Sequence, residues 1–119
     1  MSQQLFKQVE PIRPGYLTYI RLQYTPEFWD AIELGTGRLV AQFRTAVASP
    51  IVLFEADSAE ATISREDGNV LLIAIPAAAS VAWTDAVMFD IINIVGSVKT
   101  PIPGIWRWPV SARVTRDVV

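Results

Sequence analysis

The chain contains no cysteine and no histidine. Without cysteine there is no disulfide framework and no thiolate metal site. Without histidine the commonest general base and the commonest metal ligand are both missing. Charged residues are scarce, at 18% of the chain, against about 25% in an average soluble domain. The ten basic residues are scattered, which argues against a nucleic-acid surface, since that needs a basic stripe to neutralise phosphates. No run reaches the ~18 apolar residues of a membrane span. Residues 1–14 are polar and lack the apolar core of a signal peptide. The expectation is a soluble chain with no nucleic acid, membrane or cofactor among its partners.

Apolar residues are what is abundant. They make up 51% of the 119 residues before glycine is counted, and the mean hydropathy is +0.32. A chain this long makes one domain with one core. That core cannot hide so much apolar surface, so part of it is expected in contacts between chains, as a homo-oligomer or complex subunit.

Residues 1–15 read as an N-terminal arm, polar apart from Leu5 and Phe6, with Pro11 and Pro14 opposing regular pairing. Residues 16–119 read as the folded domain. Residues 16–24 suit a strand, with Tyr16, Thr18, Ile20 and Leu22 on one face and Leu17, Tyr19 and Arg21 on the other. Pro26-Glu27-Phe28-Trp29-Asp30 suits one helical turn, with Thr25 as N-cap and proline at the first position. Residues 38–45 alternate, Leu39, Ala41 and Phe43 pointing inward and Val40 breaking the pattern. Short strands are expected at 51–54 and 60–64, the second with Ala61 and Ile63 inward. Arg65-Glu66-Asp67-Gly68-Asn69 is a hairpin turn. Residues 70–75 are apolar on both faces, as in a central strand covered on both sides or one face of an interface. Residues 77–83 suit a short helical turn and 86–94 a further strand, with Val87, Phe89 and Ile91 on one face and Met88, Asp90 and Ile92 on the other. Residues 99–104 read as a rigid loop because Pro101 and Pro103 fix φ. Residues 105–110 return with Trp106 and Trp108 on one face, and Ala112 and Val114 complete the last strand. Seven or eight short strands with turn signals every 8–12 residues predict an all-β antiparallel sandwich.

Catalytic patterns are sparse. The lysines, Lys7 and Lys99, fall in the expected arm and loop, and no serine carries a flanking motif. Glu55 with Asp57, and Asp85 with Asp90, are the carboxylate pairs a glycosidase would need; solvated loop charges explain them as well. Glu55, Asp57 and Glu60 offer oxygens for Ca²⁺ but match no loop signature. The reading is therefore non-enzymatic, with no catalytic, metal or cofactor residues. Aromatic residues cluster at Tyr24, Phe28 and Trp29 and at Trp106-Arg107-Trp108. Core filling explains the alternating tryptophans, and interface contacts or a sugar platform are the other readings.

The order of the C-terminal segments resembles a known group. Asp57-Ser58-Ala59-Glu60-Ala61-Thr62-Ile63-Ser64 leads into a hairpin. Asp67-Gly68-Asn69-Val70-Leu71-Leu72-Ile73-Ala74-Ile75-Pro76 follows, then Ala86-Val87-Met88-Phe89-Asp90-Ile91-Ile92. Trp106-Arg107-Trp108-Pro109-Val110-Ser111-Ala112-Arg113-Val114-Thr115-Arg116 closes the chain. Over residues 38–116 this resembles small immunoglobulin-like structural proteins of tailed bacteriophages, similar to the N-terminal domain of phage baseplate upper proteins. It departs from them at 95–103, at 105–109 and in the N-terminal segment to Ala31. The resemblance implies an immunoglobulin-like β-sandwich of about seven strands. It also implies a virion protein of the tail, baseplate or fibre-attachment region, assembled in the host cytoplasm with other phage structural proteins. The expected interface residues are Leu5, Phe6, Phe28, Trp29, Ile102, Trp106 and Trp108. Capsid decoration or head-fibre protein, and a carbohydrate-binding adhesin using Trp29, Trp106 and Trp108, are the alternative readings.

Overall fold

The computed structural model describes residues 10–111, so Leu5, Phe6 and the expected continuation at Ala112 and Val114 lie outside the described residues. Within them, the period-two patterns become strands β1 (Thr18–Gln23), β2 (Arg38–Arg44), β3 (Phe54–Asp57), β4 (Ile63–Glu66), β5 (Val70–Ile75), β6 (Ala86–Val95) and β7 (Val98–Pro109). Two short helices, α1 (Pro26–Ala31) and α2 (Ala77–Ser80), fill connections. The strands form a three-stranded sheet ordered β1-β5-β4 and a four-stranded sheet ordered β3-β2-β6-β7, with every strand pair antiparallel. Read as B-E-D facing C′-C-F-G, this is the strand order of an immunoglobulin-like sandwich. The expected fold class is the observed one.

Alternation decides which side chains meet between the sheets. From the three-stranded sheet Ile20, Leu22, Ile63, Leu71, Ile73 and Ile75 point inward and are buried. From the other sheet Leu39, Ala41, Phe43, Val87, Phe89 and Ile91 do the same. Phe43 is fully buried at the centre. Its ring lies 4.6 Å from Phe89, 5.8 Å from Trp83 and 6.0 Å from Phe54, centroid to centroid. Phe89 continues the chain of rings to Trp106 at 5.3 Å and Trp108 at 6.0 Å.

Several expectations about segments are corrected. Residues 99–104 are no loop but lie inside β7, the edge strand of its sheet. Counted from the Gly96-Ser97 turn, Pro101 opposite Ile92 falls on a position whose N–H would face away from β6. A proline there costs no ladder bond, which is why an edge strand tolerates it. Opposite the single Asp90, β7 carries three residues, Pro103-Gly104-Ile105, as a bulge. The strand expected at 51–54 begins only at Phe54, after a loop in which the Arg44 guanidinium donates to the Ser49 carbonyl at 2.7 Å. The strand expected at 60–64 begins at Ile63. Asp57 instead caps a 3-10 turn, Ser58–Glu60, that ends at Ala61 with φ +64°, leaving Ala61 exposed.

The expected arm also ends earlier than residue 15. Ile12 is fully buried and pairs in parallel with Val110. The Ile12 N–H donates to the Pro109 carbonyl, and the Ser111 N–H donates to the Ile12 carbonyl, both at 2.9 Å. The next rung of this ladder would need an N–H from residue 109, and Pro109 has none. The Trp108 indole N–H donates to the Glu10 carbonyl at 2.8 Å in its place.

Gly37, at φ +92°, leads into β2, and a Cβ there would lie 2.1 Å from Asn93 Oδ1. Gly37→Ala is expected to lower stability by more than about 1 kcal/mol, read as a shift in the urea midpoint. Phe43→Ala should cost about 3–5 kcal/mol in the same measurement, since it removes the ring on which three others converge. A loss below about 1 kcal/mol would mean the sheets do not depend on that ring.

Candidate interaction surface

Helix α1 starts as the sequence suggests. The Thr25 side chain accepts from the Phe28 N–H at 3.1 Å, and Pro26 occupies the first turn. The Tyr24 ring stacks on Phe28 at 5.5 Å and tilts against Trp29 at 6.2 Å. Phe28 and Trp29 are half-buried: each packs on the core and leaves one side to solvent. Glu27, Asp30 and Glu33 stand exposed around them, and no Lys or Arg occurs between residues 22 and 37. Trp29, Asp30, Glu33, Gly35 and Thr36 line a shallow recess of about 300 Å³.

Two polar side chains hold this corner in place. The Arg65 guanidinium donates to the carbonyls of Leu34, Thr36 and Gly37 at 2.6, 2.9 and 2.7 Å. Burial pulls the Arg65 pKa down from its ordinary value, and three carbonyl acceptors compensate the guanidinium for lost water. Asn93 donates to the Thr36 carbonyl at 2.8 Å. Arg65 belongs to one sheet and Asn93 to the other, so the corner is tied to both.

The outward face of the four-stranded sheet forms the second surface. Register arranges it in rows across the strands. At one end Arg44, Met88 and Arg107 lie side by side. Glu55, Gln42 and Asp90 come next, then Asp57, Val40, Ile92 and Pro101, and finally Arg38, Ile94 and Lys99. Two recesses, of about 260 and 270 Å³, run along this face and share Gln42 and Asp90. Val40, the exception to alternation, is 8% exposed although it faces outward, because its neighbours cover it. The Arg38 guanidinium grips the Asp57 carboxylate through Nε at 3.0 and 3.1 Å and also through Nη2. This hydrogen bond, helped by the Ala59 N–H, holds the Asp57 carboxyl below the usual carboxylate range. Arg44, Lys99 and Arg107 face no carboxylate within ion-pair distance among the described residues.

The residues expected to form an interface are therefore divided. Phe28 and Trp29 lie together on the α1 corner. Ile102, Trp106 and Trp108 do not offer a surface: they are only 4, 9 and 7% exposed and fill the core. The inward parity of β7 puts them there. This also removes two of the three tryptophans of a carbohydrate platform. Glu55, Asp57 and Glu60 do not converge as a metal site, since no cluster of three acidic ligands exists among the described residues. Among those residues no helix is long and apolar enough to cross a membrane. Residue-by-residue reading missed the outer sheet face. Its signal was Ala86, Met88, Ile92 and Ile94, which leave Asp90 as the one charge on the even-numbered face of 86–94. No family model, curated protein or solved structure matches this chain.

A depressed carboxyl pKa gives stability that is present above the unfolded value of about 3.9 and lost as pH falls through the lower folded value. Asp57→Ala also removes the cap on Ala59, worth about 1 kcal/mol. The stability deficit of this variant should be larger at neutral pH than in strong acid, measured as urea midpoints at both. An equal deficit would show that the ion pair contributes nothing.

Proposed function

We propose that the chain is a non-catalytic structural module that works by protein–protein assembly, as a self-associating virion subunit of a tailed bacteriophage's tail, baseplate or fibre-attachment region. The observation that supports assembly is the amount of large apolar surface left outside a well-filled core. Ile51, Val98, Val47 and Ile105 are 65, 63, 62 and 58% exposed. Tyr16, Leu17 and Tyr19 form a further exposed group, at 54, 57 and 51%. Monomeric proteins rarely leave extended apolar patches in water. The virion setting, with other structural proteins of the particle as partners, rests on the segment order over residues 38–116. An assembly role also suits the rigid scaffold, because a sandwich tied at its corner presents the same surface in every copy.

Light scattering of the purified chain over a range of concentrations tests this. The expected result is a discrete multimer. A monomer at every concentration would remove the self-association on which the proposal stands.

A further inference from the structure

We propose that copies of this chain associate head to tail, the acidic α1 corner of one seated on the basic end of the outer sheet face of the next. The inference rests on the assembly reading and specifies its contact. Charge placement selects the partner surface. Basic rows close both ends of the sheet face, Arg44 and Arg107 at one end and Arg38 and Lys99 at the other. Suppose this face met its own copy about a two-fold axis running along the strands and centred on it. Each basic row would then oppose itself. An axis running across the strands would set Arg44 and Arg107 against Arg38 and Lys99. Either arrangement opposes like charges, which costs several kcal/mol at an interface. The inner rows carry Glu55, Asp57 and Asp90, and Arg38 is already paired with Asp57, so it is the row of Arg44, Met88 and Arg107 that suits an acidic partner with an apolar centre.

The α1 corner has that composition. It combines Asp30 and Glu33 with the solvent side of Trp29, and its stretch of chain carries no cation. The recess beside Met88 and Ile105, about 260 Å³, is lined by Arg44 and also by Asp90. An indole edge placed there would meet a thioether and a guanidinium, both favourable aromatic partners. The two carboxylates would reach Arg44 and Arg107, which have no acidic partner of their own among the described residues. Corner and face are different surfaces, so the contact is heterologous. Such a contact repeats into a ring when its rotation closes.

The test uses two variants of the full chain. One carries Arg107→Glu on the sheet face, the other Glu33→Lys on the corner. Both side chains are exposed, and unchanged unfolding midpoints verify that both variants fold. Each variant alone should associate more than about tenfold more weakly than the unaltered chain. Mixed one to one, they should form alternating multimers, since an intact corner then meets an intact face and a reversed corner meets a reversed face. A chain with both changes should recover association, the charges being exchanged. Multimers that persist in either variant, or a mixture that stays monomeric, would overturn the contact while leaving the assembly reading standing. An unaltered chain that is monomeric throughout would overturn both.

Discussion

Everything in this domain depends on the packing of aromatic rings around Phe43. The ring comes from near the end of β2 and touches Phe89 on β6, Phe54 on β3 and Trp83 in the connection before β6. Through Phe89 it reaches both tryptophans of β7. One buried cluster therefore links all four strands of its sheet. Because side chains alternate, committing these residues to the interior commits their neighbours to the exterior. The outer rows of Arg44, Met88 and Arg107, and of Arg38, Ile94 and Lys99, are the other half of that decision.

Polar contacts set what hydrophobic burial leaves open. Burial is non-directional and cannot determine how a connection runs. The stretch from α1 to β2 is positioned by Arg65 and Asn93, which gather the carbonyls of residues 34, 36 and 37 from opposite sheets. Gly37 lets the backbone pass against Asn93, where any side chain would collide. Asp57 plays a comparable part beside the same end of β2: it pairs with Arg38 and caps the turn that redirects the chain to β4. The acidic corner is thus held rigidly, which favours a repeated contact because little ordering entropy remains to be lost.

Much of the fold was legible along the chain. β-Branched and aromatic residues marked β1, alternation broken only by Val40 marked β2, the Asp-Gly turn marked the β4–β5 hairpin, and Thr25-Pro26 marked the start of α1. Prolines misled where they were judged without a neighbouring strand. Pro101 reads as a strand breaker, yet on an open edge its missing N–H is not needed. Local polar competition was equally hidden. Nothing in residues 60–64 announces that Asp57 will cap a turn and delay the strand to Ile63.

The interaction surface divides in the same way. Composition alone established an excess of apolar residues, no histidine or cysteine chemistry, and an aromatic, acidic stretch at 27–33, because these are properties of residue type and short spacing. Tertiary structure decided which aromatics stay near water. Trp29 remains partly exposed at a corner, while Trp106 and Trp108 are turned inward by the parity of β7. It also decided that cations up to 69 residues apart, Arg38 and Arg107, share one face. Strand order and register bring such residues together, and both are set by long-range pairing that no local pattern encodes.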